Sequence, residues 1–362
     1  HDRKSKKRRS ATLPGNMPAG AVTRPPEKIS EPERKEQISE KRKKENRKEK
    51  TPMQMTGRDL FFLTVAAAVM GAPAGEDLRA AYADESTRAE AKALAKKFDL
   101  LHLFAYVFPT DSDAMRAAMQ ASFRRERQSA ALSSVGGAFS AAGIDYLPLK
   151  GAVMAEKYPK PEMRTSCDID ILVRKKDLDA AGAVLTGTLG ATFEKEGAHD
   201  RSYAFPGGVH IELHFALQTH VREADALLND VFSVAIPDKI SHAYRLPDEY
   251  FCFYHVGHTA GHFLHGGAGV RPFVDLLLLD REDDALRPAR DALLAKGGLL
   301  RFADAMRALC AVWFAGAAPT PDTDRFAEAV LSGALYRDNE KSMAMRSVRS
   351  GGRLSYALSR IF

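Results

Sequence analysis

Between residues 144 and 217 the apolar residues stop recurring every third or fourth position and begin to alternate, and no other feature of the chain narrows its fold as much. "IDYLPLK" reads as a short strand, "GAVMAEKYP" as a helix closed by proline, and "CDIDILV" as a second strand. "KKDLDAAGAVLTGTLG" follows as a helix with a glycine stop, then "ATFEKE" and "RSYAFPG" as edge strands and "VHIELHFAL" as a further alternating strand. On both sides the helical period holds. Residues 57 to 142 are rich in Ala, Leu, Glu, Lys and Arg, and the glycine of "AAGIDY" ends the last of their helices. Residues 222 to 320 carry "DEYFCFYHVGHTAGHFLH", "VRPFVDLLLLDRE" and "PARDALLAKGGLLRFADAMRALCAVWF". The expectation is a small α/β or α+β unit over 143–220, set between helical regions at 56–142 and 221–320. Residues 321–362 read as a polar tail with a weakly amphipathic end, either a docking helix or a truncated end.

Charge sets the beginning of the chain apart. Residues 1 to 50 hold 17 Lys/Arg and 8 Asp/Glu, a net of +9, which leaves 36 of the 53 basic and 39 of the 47 acidic residues, a net of −3, for the rest. With few large apolar residues to bury, residues 1–55 are expected to be a disordered basic tail. "RKSKKRR" and "KRKKENRKEK" suit nonspecific attraction to RNA, DNA or anionic lipid, or a plain solvated tail; nucleic acid is expected to meet the chain only there. Three cysteines without paired spacing argue for a reducing, cytoplasmic setting. The longest apolar run, "LFFLTVAAAVMGA", is shorter than the ~20 residues that cross a bilayer, so no membrane span is expected.

Side chains two apart on a strand share a face, so Asp168 and Asp170 point one way while Cys167, Ile169 and Ile171 point the other. Like charges this close are costly to desolvate unless a cation lies between them, and Mg²⁺, with its preference for oxygen ligands, suits such a pair. Solvated carboxylates at an exposed strand end are the competing reading. Glu212, on the polar face of "VHIELHFAL" with His210 and His214, which could face substrate, would add a third acid if the two strands are neighbours, and three carboxylates can hold two metal ions. Upstream, Lys150 and Gly151 stand between a strand and a helix, where a phosphate could approach backbone N–H groups and a point charge. Arg164 could fork onto phosphate oxygens, or form a surface salt bridge.

These segments, "LPLKGAVMAEKYP", the arginine and "DIDILV", the following helix and "VHIELHF", together resemble the polymerase-β-like nucleotidyltransferase superfamily, and most of all its poorly characterised bacterial branch. "HTAGHFLHGGAGVRPFVDLLLL" resembles the C-terminal helical part of that branch, so the likeness spans roughly 57 to 320. The resemblance implies an α+β fold, a small mixed nucleotidyltransferase-type sheet flanked by N- and C-terminal helical regions. It implies that Gly151 matches the glycine turn, Asp168 and Asp170 the metal-binding pair, and Glu212 the third acid. It further implies Mg²⁺, with Mn²⁺ as substitute, and transfer of an NMP from an NTP such as ATP to an acceptor hydroxyl with release of pyrophosphate. Two positions depart from the pattern: Lys150 precedes a lone Gly151 followed by Ala152, and the third acid is glutamate rather than aspartate.

A histidine cluster competes for attention. His255, His258, His262 and His265 fall at helical neighbour spacing. Three readings are open: a zinc or iron site of a metal hydrolase built on His255, His258 and His262, a polar stripe facing substrate or nucleotide, or satisfied core and surface histidines. Gly257, Gly261 and "GGAG" read as loosening that helix, while Arg271 is expected to reach the cleft or pair with Asp275, four residues on. A non-catalytic protein that keeps the fold to bind nucleotide or a partner is the remaining alternative, although all three candidate acids are present.

Overall fold

The structure, a computed structural model, describes residues 55–265, 267–282 and 284–332. The basic tail and residues 333–362 lie outside the described residues.

The N-terminal helices are α1 (Gly57–Met70), α2 (Glu76–Ala83), α3 (Glu85–Lys97), α4 (Leu101–Phe104) and the long α5 (Ser112–Ala141). Their ends follow from local chemistry. Thr56 and Asp59 form a reciprocal capping box at the start of α1, and Gly71 ends it in a left-handed conformation. Asp111 accepts a hydrogen bond from the Ala114 N–H to start α5, and Gly143 follows its end at φ +70°.

A five-stranded sheet comes next, with β1 (Tyr146–Pro148), β2 (Asp168–Val173), β3 (Thr192–Glu196), β4 (Asp200–Phe205) and β5 (Val209–His214) in the order β1-β2-β5-β4-β3. Only β2 and β5 pair in parallel; the other neighbours are antiparallel, so the sheet is mixed and the fold is α+β as expected. Short helices α6 (Lys150–Met154) and α7 (Leu178–Ala183) follow β1 and β2. One expected edge strand is not at an edge. β4 lies between β5 and β3, because Tyr203 turns into the core against Gly182 of α7 while Ser202, small and polar, faces Glu212 on the other side.

The sheet separates two packed layers. Ile169, Ile171, Val173, Ile211 and Leu213 bury one face against Val135 and Phe139 of α5 and Leu178 and Ala181 of α7. Leu147 and Leu172, on the opposite face, belong to the core of the helical regions.

The C-terminal part contains α8 (Arg222–Leu228), α9 (Asp248–His265), α10 (Arg271–Glu282), α11 (Arg287–Lys296), α12 (Leu300–Ala315) and α13 (Pro321–Ser332). Helix α13 occupies the start of the stretch read as a polar tail. A strand pair, β6 (Ile236–Pro237) and β7 (Tyr244–Arg245), interrupts the region expected to be helical. Its role is visible at β1: the Tyr146 N–H donates to the His242 carbonyl at 3.0 Å, so the outer edge of the sheet is partly covered. Among the described residues no helix is long and apolar enough to cross a membrane.

Candidate active site

Parallel pairing of β2 with β5 matches Asp168 with His210, Asp170 with Glu212 and Leu172 with His214. Because the intervening Ile169, Ile171, Ile211 and Leu213 are buried in the core on the other face, the register cannot slip without exposing them. The three acids therefore meet on one face, as the strand spacing predicts.

Lys150 stands over them. It opens α6 from a backbone with φ +45°, a left-handed conformation unusual for a side-chain-bearing residue, and its Nζ lies 2.7 Å from Asp170 Oδ1. The same oxygen faces His214 Nε2 at 2.8 Å, and Glu212 Oε2 is 3.5 Å from that nitrogen. Burial alone would raise the Asp170 carboxyl; Lys150 and the His214 hydrogen bond more than reverse this and hold it well below the usual carboxylate range. Burial likewise opposes the charge on Lys150, and Tyr254 and Asp170 outweigh it, so the ammonium is held above its ordinary value. Asp168 goes the other way. Burial first, then the charges of Asp170 and Glu212, push its carboxyl up to about 6.

His214 is not the substrate-facing residue expected from its place on the polar face. It is buried behind Asp170, where hydrogen bonds to Asp170 and Glu212 overcome burial and raise its pKa. His210 is exposed and turned outward, with Nδ1 3.2 Å from Glu194 Oε2 across the small Ala204 of β4. Ligand atoms of Asp170, Glu212 and His214 all lie within 4.8 Å of one another, so the chemistry of the donor set fits a divalent cation. Two carboxylates suit Mg²⁺ or Mn²⁺, while His214, its Nε2 bonded to Asp170, holds that carboxylate in place.

Other expectations are redirected. Gly151 is buried, and a Cβ there would lie 3.0 Å from Ser166 Cβ; its smallness lets α6 approach the loop before β2. Arg164 does not offer its fork to a phosphate. Nε and Nη2 bond both oxygens of Asp275 at 2.8 to 3.0 Å, and Nη1 donates to the Thr165 carbonyl at 2.7 Å. Asp275 is wholly buried and also accepts from Tyr158 at 2.7 Å, so it needs that cation, and Arg271 is left to donate to Asp99 and Thr165 instead.

The histidines of α9 do not converge on a metal. His255 Nε2 donates to the Pro272 carbonyl at 3.0 Å, and His265 Nδ1 to the Gly261 carbonyl at 2.7 Å. His258 and His262 share one hydrogen bond between their Nε2 atoms at 2.7 Å. Among the described residues the group that could hold a metal is Asp170, Glu212 and His214, which displaces the reading of a hydrolase centred on His255, His258 and His262. Burial, then the charge of Lys150, keeps His258 far below its ordinary pKa, and the same causes bring His262 to about 4. Nor is α9 loosened by its glycines: a Cβ on Gly257 or Gly261 would collide with Thr219, so both are sites of close packing.

Tyr254, His199 and His220 were missed by sequence reasoning. Tyr254 had a signal: it precedes His258 and His262 at four-residue steps, and its ring lies 5.8 Å from that of His258. Burial first, with Asp170 and Glu212 adding and Lys150 opposing, pushes its hydroxyl up to about 12. His199 and His220 stand in connections without period; His199 stacks 5.7 Å from His214, and His220 lies 4.5 Å from His265.

A sequence model of the family described as "Uncharacterised nucleotidyltransferase" matches residues 106–315, more than half of the 362 residues and all of the site. No curated protein matches the chain.

Proposed function

The chain belongs to the uncharacterised nucleotidyltransferase family, and from that premise we propose that it transfers a nucleoside monophosphate from an NTP, ATP among them, to an acceptor hydroxyl, with Mg²⁺ or Mn²⁺ held by the converging Asp170 and Glu212 and by Asp168, which shares their face one step along β2. The observation that carries this reading is the parallel ladder that sets Asp170 beside Glu212, with Lys150 2.7 Å from the shared carboxylate. A divalent ion bound there would polarise the phosphoryl oxygens and neutralise the charge that passes to pyrophosphate.

The protein's own groups do the rest. Lys150 spends one N–H on Asp170 and keeps two for phosphate oxygens. Glu212, with 29% of its side chain exposed, takes the proton of the acceptor hydroxyl. The hydroxyl oxygen bonds to the α-phosphorus, the bond from that phosphorus to the bridging oxygen breaks, and its electron pair leaves with pyrophosphate. Tyr254 and the uncharged His258 wall the site on the helical side without adding a charge that competes with Lys150. Three unpaired thiols are in keeping with a reducing, cytoplasmic setting.

One feature favours a second reading, a non-catalytic protein that binds nucleotide or a partner: Lys150 already neutralises Asp170 without a metal. Incubating the purified full chain with each α-labelled NTP, Mg²⁺ or Mn²⁺ and a cell extract separates the two. Label moves to an acceptor with the wild type and not with Asp168→Ala or Asp170→Ala; transfer that persists in those variants overturns the proposed site.

A further inference from the structure

The sheet face that carries the acids is closed unevenly. Lys150 Nζ and His214 Nε2 both reach Asp170 Oδ1, at 2.7 and 2.8 Å, and only 4% of that side chain is exposed. Glu212, its partner in the ladder, keeps 29% of its side chain exposed. On the far side of Glu212 from Asp170 lies β4, whose residues on this face are Asp200, Ser202 and Ala204, paired in turn with His214, Glu212 and His210. Ser202 and Ala204 are small, so β4 forms a low floor beside the carboxylate, and beyond it every residue of β3 is exposed. Histidines stand at both ends of the floor. His210 Nδ1 lies 3.2 Å from Glu194 Oε2, while the His199 carbonyl accepts from the Phe215 N–H at 3.0 Å and its ring stacks 5.7 Å from that of His214.

Ser202 holds the middle of this floor with an idle hydroxyl. It is 6% exposed, yet among the described residues its Oγ makes no hydrogen bond. Ser166, just ahead of Asp168, shows the ordinary outcome, its Oγ donating to the Asp168 carbonyl at 3.1 Å. A polar group this buried is normally paired, and one that is not marks a place where something else supplies the partner. Register decides where that partner lies. As direct cross-strand neighbours on one face, the Ser202 hydroxyl and the Glu212 carboxylate address the same small volume.

We infer that the acceptor enters over β4 and that Ser202 is the side chain that holds its hydroxyl beside Glu212. This rests on the transfer reading above and adds to it a side of entry and a residue that touches the acceptor. The Ser202 O–H donates to one lone pair of the acceptor oxygen, which turns the acceptor proton toward Glu212. Glu212 takes that proton, the second lone pair forms the bond to the α-phosphorus, and the bond to the departing pyrophosphate breaks. A carboxylate in this place would repel the phosphates and an ammonium would pair with Glu212; a hydroxyl does neither. Because β3 leaves the outer side of the floor uncovered, an acceptor can extend past the site while presenting a single hydroxyl.

The test is labelled transfer by the full-length protein with α-labelled ATP, Mg²⁺ and serial dilutions of one cell extract as the acceptor source. Ser202→Ala should need about fivefold more extract for half-maximal labelling, the loss expected of one uncharged hydrogen bond, while the KM for ATP moves less than about twofold. Ser202→Thr and Ser202→Val have the same shape and differ in the hydroxyl, so they repeat the comparison independently of Ser202→Ala. Threonine should stay within about twofold of the wild type and valine should show the fivefold loss. Unchanged extract dependence in Ser202→Ala, equal behaviour of the threonine and valine variants, or a KM for ATP that rises as much as the extract requirement would overturn the inference and leave the transfer reading standing. A wild type that labels nothing removes the transfer reading and this inference with it.

Discussion

Lys150 Nζ reaches Asp170 Oδ1 at 2.7 Å from a residue whose own backbone is turned to φ +45°. The conformation and the contact belong together: the left-handed turn starts α6 directly after β1, and the Leu149 N–H donates to the Asp170 carbonyl at 3.0 Å, so the lysine is carried to the face where the acids meet.

Two substitutions at this position separate charge from strain. Lys150→Ala and Lys150→Gly both remove the ammonium and should lower labelled transfer about a hundredfold or more. Glycine accepts the turn without penalty, so Lys150→Gly should be about 1 kcal/mol more stable than Lys150→Ala in urea denaturation. Equal stability of the two variants would mean that the turn relaxes on substitution.

Mg²⁺ or Mn²⁺ should raise the melting temperature at pH 7.5, and Asp170→Asn or Glu212→Gln should remove that rise. Asp168 adds a pH signature. Its folded pKa is raised to about 6, so the stability linked to its protonation is present below its unfolded value of 3.8 and is lost as pH rises through about 6. In metal-free protein, Asp168→Asn should therefore raise the melting temperature at pH 7 more than at pH 4.

His102 works in the opposite direction. Buried, with Nε2 donating to the Met163 carbonyl at 2.9 Å, it has a pKa lowered from 6.5 to about 4 because burial disfavours the imidazolium. The unfolded chain binds this proton more readily, so stability is complete above 6.5 and falls as pH drops toward 4. A melting-temperature profile between pH 4 and 7 should flatten in His102→Gln.

Breaking the Arg164–Asp275 pair should cost stability, not nucleotide affinity. Asp275→Asn or Arg164→Ala leaves a buried charge without its partner and should destabilise by about 3 to 5 kcal/mol in urea denaturation. The double variant Arg164→Met, Asp275→Leu should recover much of that loss and bind a non-hydrolysable NTP with unchanged Kd. A weakened Kd in the stable double variant would return Arg164 to the nucleotide site.

The acids were legible in the sequence because strand alternation is a local rule: Ile169 and Ile171 on one face oblige Asp168 and Asp170 to share the other, and Ile211 and Leu213 do the same for Glu212. Alternation tells which face a residue takes, not how deep it lies. His214 shares the polar face of Glu212 yet is closed off behind Asp170. Arg164 was misread for a different reason. Its partner Asp275 is 111 residues away, and no local spacing announces a buried ion pair between a loop and a helix. The glycines of α9 carried a true signal read the wrong way, since Gly257 and Gly261 mark where Thr219 presses on the helix.

The pairing of β2 with β5 also fixes an order of events as the chain is made. α7, β3 and β4 all emerge before β5, so Asp170 cannot meet Glu212 or His214 until the growing chain has passed residue 214. Tyr254 and His258 arrive about forty residues later still, and contacts between such distant segments are slow to close. A chain synthesised no further than residue 208 thus lacks the strand that completes the set of acids, and the proposed site can form only after β5 has emerged.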